Sequence, residues 1–335
     1  MTRTVAVLGA GSWGTALAVH LGRVGHEVRL WARDPALVAD MTSRRANAVY
    51  LPEIRLPDTV LVTHDLNDAL RDAELVVSAI PSHGCRSVIR HAAPRLAPRA
   101  LMVSATKGIE AGTMLRMSEV ITEEAGASHR VVVLSGPSFA IEVARQLPTA
   151  ILAASAHADA IELVQQEFRS PALRLYGSDD VVGVEIGGAM KNIIAIAAGV
   201  VEGLGLGHNA LAALITRGLA ELTRLACAAG GRRETLAGLS GLGDLVLTCT
   251  GSLSRNRHVG IELARGRSLP DILAGMRMVA EGVLTTGAAL ELGARHGVEL
   301  PIATQMAEVL SGRTDVRTAI TALMLRRQRA EAETG

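Results

Sequence analysis

Aromatic residues are scarce: two Trp, two Tyr and two Phe in 335 residues. That excludes the stacking platform on which single-stranded nucleic acid is held. An excess of one charge is also missing. Thirty-four basic side chains face 33 acidic ones, for a net charge of +1. A surface built for nucleic acid or anionic lipid is therefore not expected. There are three cysteines. Cys85, Cys227 and Cys249 lack metal-ligand spacing, so no metal is expected, and an odd, sparse set reads as free thiols in a reducing compartment. Cys249 reads as a small buried residue rather than a reactive thiol. No apolar run is long and charge-free enough for a convincing membrane span. The N-terminal "VAVLGAG" is too short for the core of a signal peptide and is broken by glycine. A cytoplasmic protein is expected.

The chain is 49% hydrophobic and 20% charged, the balance of a globular protein. Its length favours two domains. The first half alternates helical segments with short apolar runs: 4–9, 27–32, 59–63, 74–80, 100–105, 130–136, 149–155 and 172–177. Nearly continuous apolar runs suit strands covered on both faces, and alternation with helices implies a parallel, doubly wound sheet. From about Asp179 long Ala/Leu/Gly helices take over. One runs from a cap at Asn209 to Gly230-Gly231, and another is capped by Ser268. The expected fold is α/β plus all-α. Residues 1–178 form a Rossmann-type dinucleotide-binding domain, and 179–335 a helical substrate-binding domain. A helix continues through the boundary, and the last ten residues fray.

Gly9-Ala10-Gly11-Ser12-Trp13-Gly14 follows the first strand and opens a helix. In that context the glycines have separate tasks: a tight turn, close approach to a pyrophosphate, and close helix–strand packing. Trp13 packs either on the cofactor or on the neighbouring domain. Where an NAD-binding acid would sit at the end of the second strand, the sequence reads Arg33-Asp34-Pro35. Arg33 is either a solvated charge or a partner for a 2′-phosphate, and Asp34 can cap the next helix. This favours NADP over NAD, with use of both open.

Ligands of such sheets bind beyond the carboxyl ends of the strands. Lys107 lies just past one strand, and Gly136-Pro137-Ser138 just past another. Each has a plain alternative, a loop lysine and a helix cap. In the second half, "AGLSGLGDLVLTCTG" carries Asp244 into an apolar run. "SLSRNRHVG" gathers Ser254, Arg255, Asn256 and Arg257 at a possible helix start, which suits a phosphate or a solvated basic turn. Glu281 is an isolated acid. "VEIGGAMKNIIAIAAGVVEG" places Lys191 and Asn192 on the least polar helix. Lysine is almost never buried unless paired.

These stretches resemble one family, the soluble NAD(P)-dependent sn-glycerol-3-phosphate dehydrogenases of bacteria. The matching pieces are GAGSWGTALA, NAVYLPEIRLP, SATKGIE, SGPSFAIEVA, VEIGGAMKNIIAIAAG, GLSGLGDLVLTCTG, SLSRNRHVG and VAEGV, in order from Gly9 to Glu281. The resemblance implies reversible reduction of dihydroxyacetone phosphate to glycerol 3-phosphate, supplying phospholipid backbones. It implies Lys191 as acid–base. It implies substrate contacts from Lys107, Gly136, Ser138, Asp244, Ser254, Arg255 and Asn256. It places Ser12, Trp13, Arg33, Lys107, Ala140, Arg255, Val279 and Glu281 around the cofactor, NADP or NAD. Asp244 is then the partner of Lys191 or a ligand for a substrate hydroxyl, and Gly187 and Gly188 leave room for substrate. A β-hydroxyacid or sugar-acid dehydrogenase of the same architecture, or a non-catalytic NAD(P)-binding regulator, would share the glycine loop. A homodimer is expected from the apolar helical domain.

Overall fold

The computed structural model describes residues 2–276, 278–328 and 330. The expected fraying of the last ten residues falls mostly outside them. The chain divides into two compact units, Met1–Lys107 with Met117–Val181, and Gly108–Arg116 with Val182–Gly335. The division lies three residues beyond the expected one. The sequence also gave no sign that 108–116 leaves the first unit.

The strands are β1 (Thr4–Leu8), β2 (Glu27–Trp31), β3 (Ala46–Asn47), β4 (Leu51–Arg55), β5 (Val60–Thr63), β6 (Leu75–Ser78), β7 (Leu101–Ser104), β8 (Val131–Ser135), β9 (Thr149–Ala154) and β10 (Leu173–Ser178). Eight form one sheet in the order β10-β9-β8-β7-β6-β1-β2-β5, and β3 and β4 form a separate hairpin. All eight runs read as strands are in the sheet. Six are mutually parallel, while β9 pairs antiparallel to β8 and β10 follows β9. The segment between β8 and β9 holds only the five-residue helix Ala140–Ala144. A parallel return usually runs through a full crossover helix.

β1 is the switch point, with β6 on one side and β2 on the other. Ligands of doubly wound sheets bind at such a point. Val5, Val7, Leu30, Val77, Val103 and Leu134 bury one sheet face in the core that includes Leu17 and Leu21 of the helix Ser12–Arg23. Ala6, Val76 and Met102, on the other face, are equally inaccessible. Burial on both faces explains why the strands read as continuous apolar runs.

The second unit is helical and built around Val181–Gly203, a helix of 23 residues. It is the one single helix among the described residues long and apolar enough to cross a membrane, and 89% of its most apolar stretch is buried in protein. A bent pair, Arg233–Thr250 with Arg255–Ala264, passes the same test only jointly, across a 47° break. Glycines set the packing. A Cβ on Gly199 would stand 1.9 Å from the Arg257 carbonyl oxygen, and one on Gly260 1.9 Å from that of Ile196. The helix Arg255–Ala264 therefore crosses Val181–Gly203 backbone to backbone.

The two caps expected on the long helices of the second half have different outcomes. Ser268 caps Leu269–Ala274, accepting from the Asp271 N–H at 3.3 Å. The next long helix starts at Gly207, so Asn209 lies inside it. Gly205 and Gly207, both at positive φ, turn the chain early. The 108–116 excursion is anchored by Ile109 in the helical core and by Arg116, 2.7 Å from Glu185.

Candidate active site

In the first unit, the glycine loop has the geometry its spacing suggests. Gly9 has φ +109°, and a Cβ there would lie 2.8 Å from the Ala79 carbonyl oxygen. A Cβ on Gly14 would lie 1.8 Å from the Gly9 carbonyl oxygen, so the helix and turn meet only without a side chain. Gly11 faces open space. It precedes the helix Ser12–Arg23, whose N-terminus has no side-chain cap. The N–H groups of a helix start without a side-chain cap, together with the helix dipole, favour an anion there.

The hairpin β3–β4, part of the NAVYLPEIRLP stretch, holds this loop. Asn47 is fully buried and donates to the Ala10 carbonyl at 2.9 Å and to Thr15 Oγ1 at 2.8 Å. Ser12 Oγ donates to the Tyr50 carbonyl at 2.8 Å. The sequence reading gave Asn47 no task. An asparagine among apolar residues was the available signal, since buried amides need partners. Trp13 is partly buried against the first unit's own core.

Arg33 is exposed just beyond β2. Asp34 caps the helix Pro35–Arg44, accepting from the Ala36 N–H at 2.9 Å. Its carboxylate is thus engaged, and Arg33 is the charged group left at the strand end. Beyond β7 and β8, Lys107 Nζ donates to the Gly136 carbonyl at 3.2 Å, and Ser138 Oγ donates to the same oxygen at 3.0 Å. Gly136 has φ +133°. The plain reading of Ser138 as a helix cap fails, because Phe139 occupies that position without a side-chain bond. Ala140 opens that short helix and is half-buried.

In the second unit, Lys191 is buried with partners. Its ammonium donates to Asp244 Oδ1 at 2.5 Å and to Thr248 Oγ1 at 2.7 Å. Thr248 Oγ1 donates to the Asp244 carbonyl at 2.6 Å. Asp244 and Thr248 share a face of the helix Asp244–Thr250 at i, i+4 spacing. Thr248 went unread in the sequence, though that spacing could have found it. Gly187 does not leave room for substrate. A Cβ there would lie 2.9 Å from the Ser240 carbonyl oxygen, so its bareness admits the turn that delivers Asp244. Burial pushes the Cys249 thiol up to about 12, which leaves it un-ionised and inert.

Ser254 caps the helix Arg255–Ala264, its Oγ accepting from the Arg257 N–H at 3.3 Å. Arg255 follows at the first helical position and its residue surface is exposed. Enough protein surrounds the guanidinium for burial to lower its pKa, which the Glu281 carboxylate opposes. Asn256 was read as a phosphate ligand. Here its amide bridges two elements, donating to Asn192 Oδ1 at 3.0 Å and accepting the Gly282 N–H at 3.0 Å. One amide hydrogen remains for a ligand. Glu281 opens the helix Glu281–Arg295, and Val279 is half-buried just before it.

Each unit therefore gathers its own set. The first holds the glycine loop, Arg33, Lys107, Gly136, Ser138 and Ala140. The second holds Lys191 with Asp244 and Thr248, linked through Asn192 to Ser254–Asn256 and the 279–282 segment. Among the described residues, no cluster of three His, Cys, Asp or Glu side chains could hold a metal ion.

Comparison with known proteins agrees along both halves. Residues 4–161 match the model of the NAD-dependent glycerol-3-phosphate dehydrogenase N-terminus, and 180–321 that of its C-terminus. A glycerol-3-phosphate dehydrogenase (NAD(P)+) of Koribacter versatilis is 58% identical over 272 residues, covering 80% of this chain and 81% of the relative. One of Thioalkalivibrio sulfidiphilus is 54% identical over 265 residues, 79% and 80% of the two chains. The crystal structure of glycerol-3-phosphate dehydrogenase from Coxiella burnetii superposes with TM-score 0.94 at 39% identity, covering 97% of this chain and 99% of that one. On these matches the chain belongs to the NAD-dependent glycerol-3-phosphate dehydrogenase family and is an NAD(P)-dependent oxidoreductase.

Proposed function

We propose that Lys191 is the acid–base group of a reversible interconversion of dihydroxyacetone phosphate and sn-glycerol 3-phosphate. One observation carries the reading: a buried ammonium held at 2.5 Å by Asp244 and 2.7 Å by Thr248. Reduction of a carbonyl needs a proton on oxygen as well as a hydride on carbon. The nicotinamide, when bound, supplies or takes the hydride. Lys191 donates the proton to the forming alkoxide and recovers it in the reverse direction. Asp244 keeps the ammonium charged before transfer, and Thr248 fixes its direction. Arg255, the free helix N–H groups behind the Ser254 cap and the remaining Asn256 hydrogen hold the phosphate.

The residues of the first unit fit a dinucleotide. Gly11 leaves open space at an uncapped helix N-terminus, where a pyrophosphate is favoured. Arg33, with Asp34 engaged in its cap, suits a 2′-phosphate, so NADP is the preferred cofactor. Ala140, in the same unit, lines that cofactor. The product feeds glycerophospholipid synthesis, in the cytoplasm, and nucleic acid is not a partner. Leu206, Leu242, Val246 and Leu253, between 38% and 51% exposed on the helical unit, support a homodimer. The test is loss of reduced-cofactor absorbance on adding dihydroxyacetone phosphate, with NADPH and NADH in parallel. Rapid oxidation with glycerol 3-phosphate as product is expected. Oxidation on a β-keto acid instead of the phosphate would favour the rival substrate class.

A further inference from the structure

One helix start carries two arginines, Arg255 and Arg257, and the phosphate reading uses only the first. Two positions apart on a helix, their side chains leave on different flanks and do not face each other. Arg257 turns to the protein. Its side chain is 16% exposed, pairs with the Glu202 carboxylate and donates to the Gly251 carbonyl at 3.4 Å. Its N–H is taken by Ser254 Oγ at 3.3 Å, and its own carbonyl oxygen is the one against which Gly199 packs. These partners belong to different elements of the second unit. Glu202 is on the last turn of Val181–Gly203, about three turns beyond Lys191. Gly251 ends Asp244–Thr250, the helix of Asp244 and Thr248. Arg257 itself lies in the first turn of Arg255–Ala264. One guanidinium therefore ties the helix of the ammonium to the end of the helix of its partner carboxylate and to the turn that presents Arg255.

We propose that Arg257, held by Glu202, is a positioning residue that sets the span between the proton donor at Lys191 and the anion held at the Arg255 turn. The inference rests on the reading of Lys191 as donor and of that turn as the phosphate site. In dihydroxyacetone phosphate one carbon and one oxygen separate the carbonyl carbon from the phosphorus. So short a link cannot absorb an error in the span, and a misplacement of about 1 Å can cost on the order of 10²-fold in rate. Glu202 matters for direction rather than for stability. Its side chain is 45% exposed, and so open an ion pair adds little to the folded state. Without the carboxylate, the guanidinium is free to leave Gly251 and to swing towards the anion, and the turn that carries Arg255 loses its tie to the helix of Lys191.

The test is a set of steady-state rates on the full chain, with NADPH and either dihydroxyacetone phosphate or unphosphorylated dihydroxyacetone. Arg257→Leu should lower kcat/KM for the phosphate by about ten-fold or more. The unphosphorylated ketone has no second anchor, so its kcat/KM should stay near that of the parent. Glu202→Gln should shift the phosphate in the same direction, and carries the test if Arg257→Leu does not fold. The sign of that change separates positioning from direct contact. A guanidinium that bound the phosphate itself would bind it better once released from Glu202, and kcat/KM would rise. Arg257→Leu combined with Glu202→Gln should lose no more than Arg257→Leu alone, because the two side chains act as one unit. A rise in Glu202→Gln, equal losses on both substrates, or additive losses in the double variant overturns the proposal. Arg255→Ala is measured beside them. A loss confined to the phosphate in Arg255→Ala, without one in Arg257→Leu, removes the positioning role alone. Equal losses on both substrates in Arg255→Ala reject the phosphate reading, and the span falls with it.

Discussion

Lys191 Nζ and Asp244 Oδ1 meet at 2.5 Å across 53 residues of sequence, with side chains 9% and 1% exposed. Neither charge would be stable there alone, because desolvation of an unpaired ion costs several kcal/mol. The pair therefore explains how an ammonium survives on the least polar helix. It also separates two roles that substitution can distinguish, the proton donor and the group that keeps it charged.

Lys191→Met removes the donor and keeps the stem. Turnover should fall by roughly 10²–10⁴-fold, while NADPH affinity stays near that of the parent. Asp244→Asn leaves the ammonium buried without its counter-charge and should cost about 3–5 kcal/mol of stability. Stopped-flow rates, NADPH titration and urea unfolding check the three expectations. Near-normal turnover in Lys191→Met would sink the mechanism.

Arg255 is proposed as the phosphate ligand because it stands at a helix start with its guanidinium partly desolvated. A charge-assisted hydrogen bond is worth about 1.5–3 kcal/mol. Arg255→Ala should accordingly raise KM for dihydroxyacetone phosphate by about 10–100-fold. Unphosphorylated dihydroxyacetone should be affected little. The ratio of the two effects in steady-state assays is the measurement, and equal effects on both would remove the assignment.

Much of this is legible in the amino-acid sequence. The eight sheet strands are apolar on both faces, so each appeared as a continuous run. The glycine loop was legible because glycines at those spacings answer to steric needs, seen here as Gly14 against the Gly9 carbonyl. The hairpin β3–β4 was not, because a two-residue strand carries no period. The excursion of 108–116 was hidden for a related reason. Its anchors are two apolar residues, Ile109 and Met114, and an ion pair to Glu185, 69 positions away. The purpose of Gly187 was misread because bareness alone does not say whether a ligand or a backbone fills the space. Asn256 shows the same limit, since an amide near a basic turn suits a phosphate and an internal bridge equally.

Arg33 is the exposed charge beyond β2, and Asp34 beside it is engaged as a cap. A bidentate guanidinium–phosphate contact exists only with the 2′-phosphorylated cofactor. Arg33→Ala should therefore lower kcat/KM for NADPH by about 10–100-fold, on the scale of a charge-assisted bond, and change that for NADH little. Parallel assays with the two cofactors decide it. The same loss with both would assign Arg33 to a general role such as approach of any anion.

Glu221, which the sequence did not single out, is a buried acid outside the site. It is 2% exposed on the helix Gly207–Ala228 and accepts the Ile302 N–H at 2.6 Å and the Ala303 N–H at 3.4 Å. It thereby caps Pro301–Leu310 from a neighbouring helix. Burial pushes its carboxyl up to about 7, against the pull of the two N–H groups and of Arg224 and Arg326. The folded protein therefore holds this proton more tightly than the unfolded chain, whose carboxyl titrates near its ordinary value. Between about pH 4.3 and the folded value the native state binds more protons, so stability falls as pH rises and levels off above it. The loss from this one group is on the order of 3–4 kcal/mol. Glu221→Gln keeps an oxygen for the Ile302 N–H and has no proton to lose. Urea unfolding at pH 5 and pH 8 should show a smaller difference between the two pH values in Glu221→Gln than in the parent. Stability curves that run parallel across that range would show that the carboxyl titrates normally and that burial does not set its proton affinity.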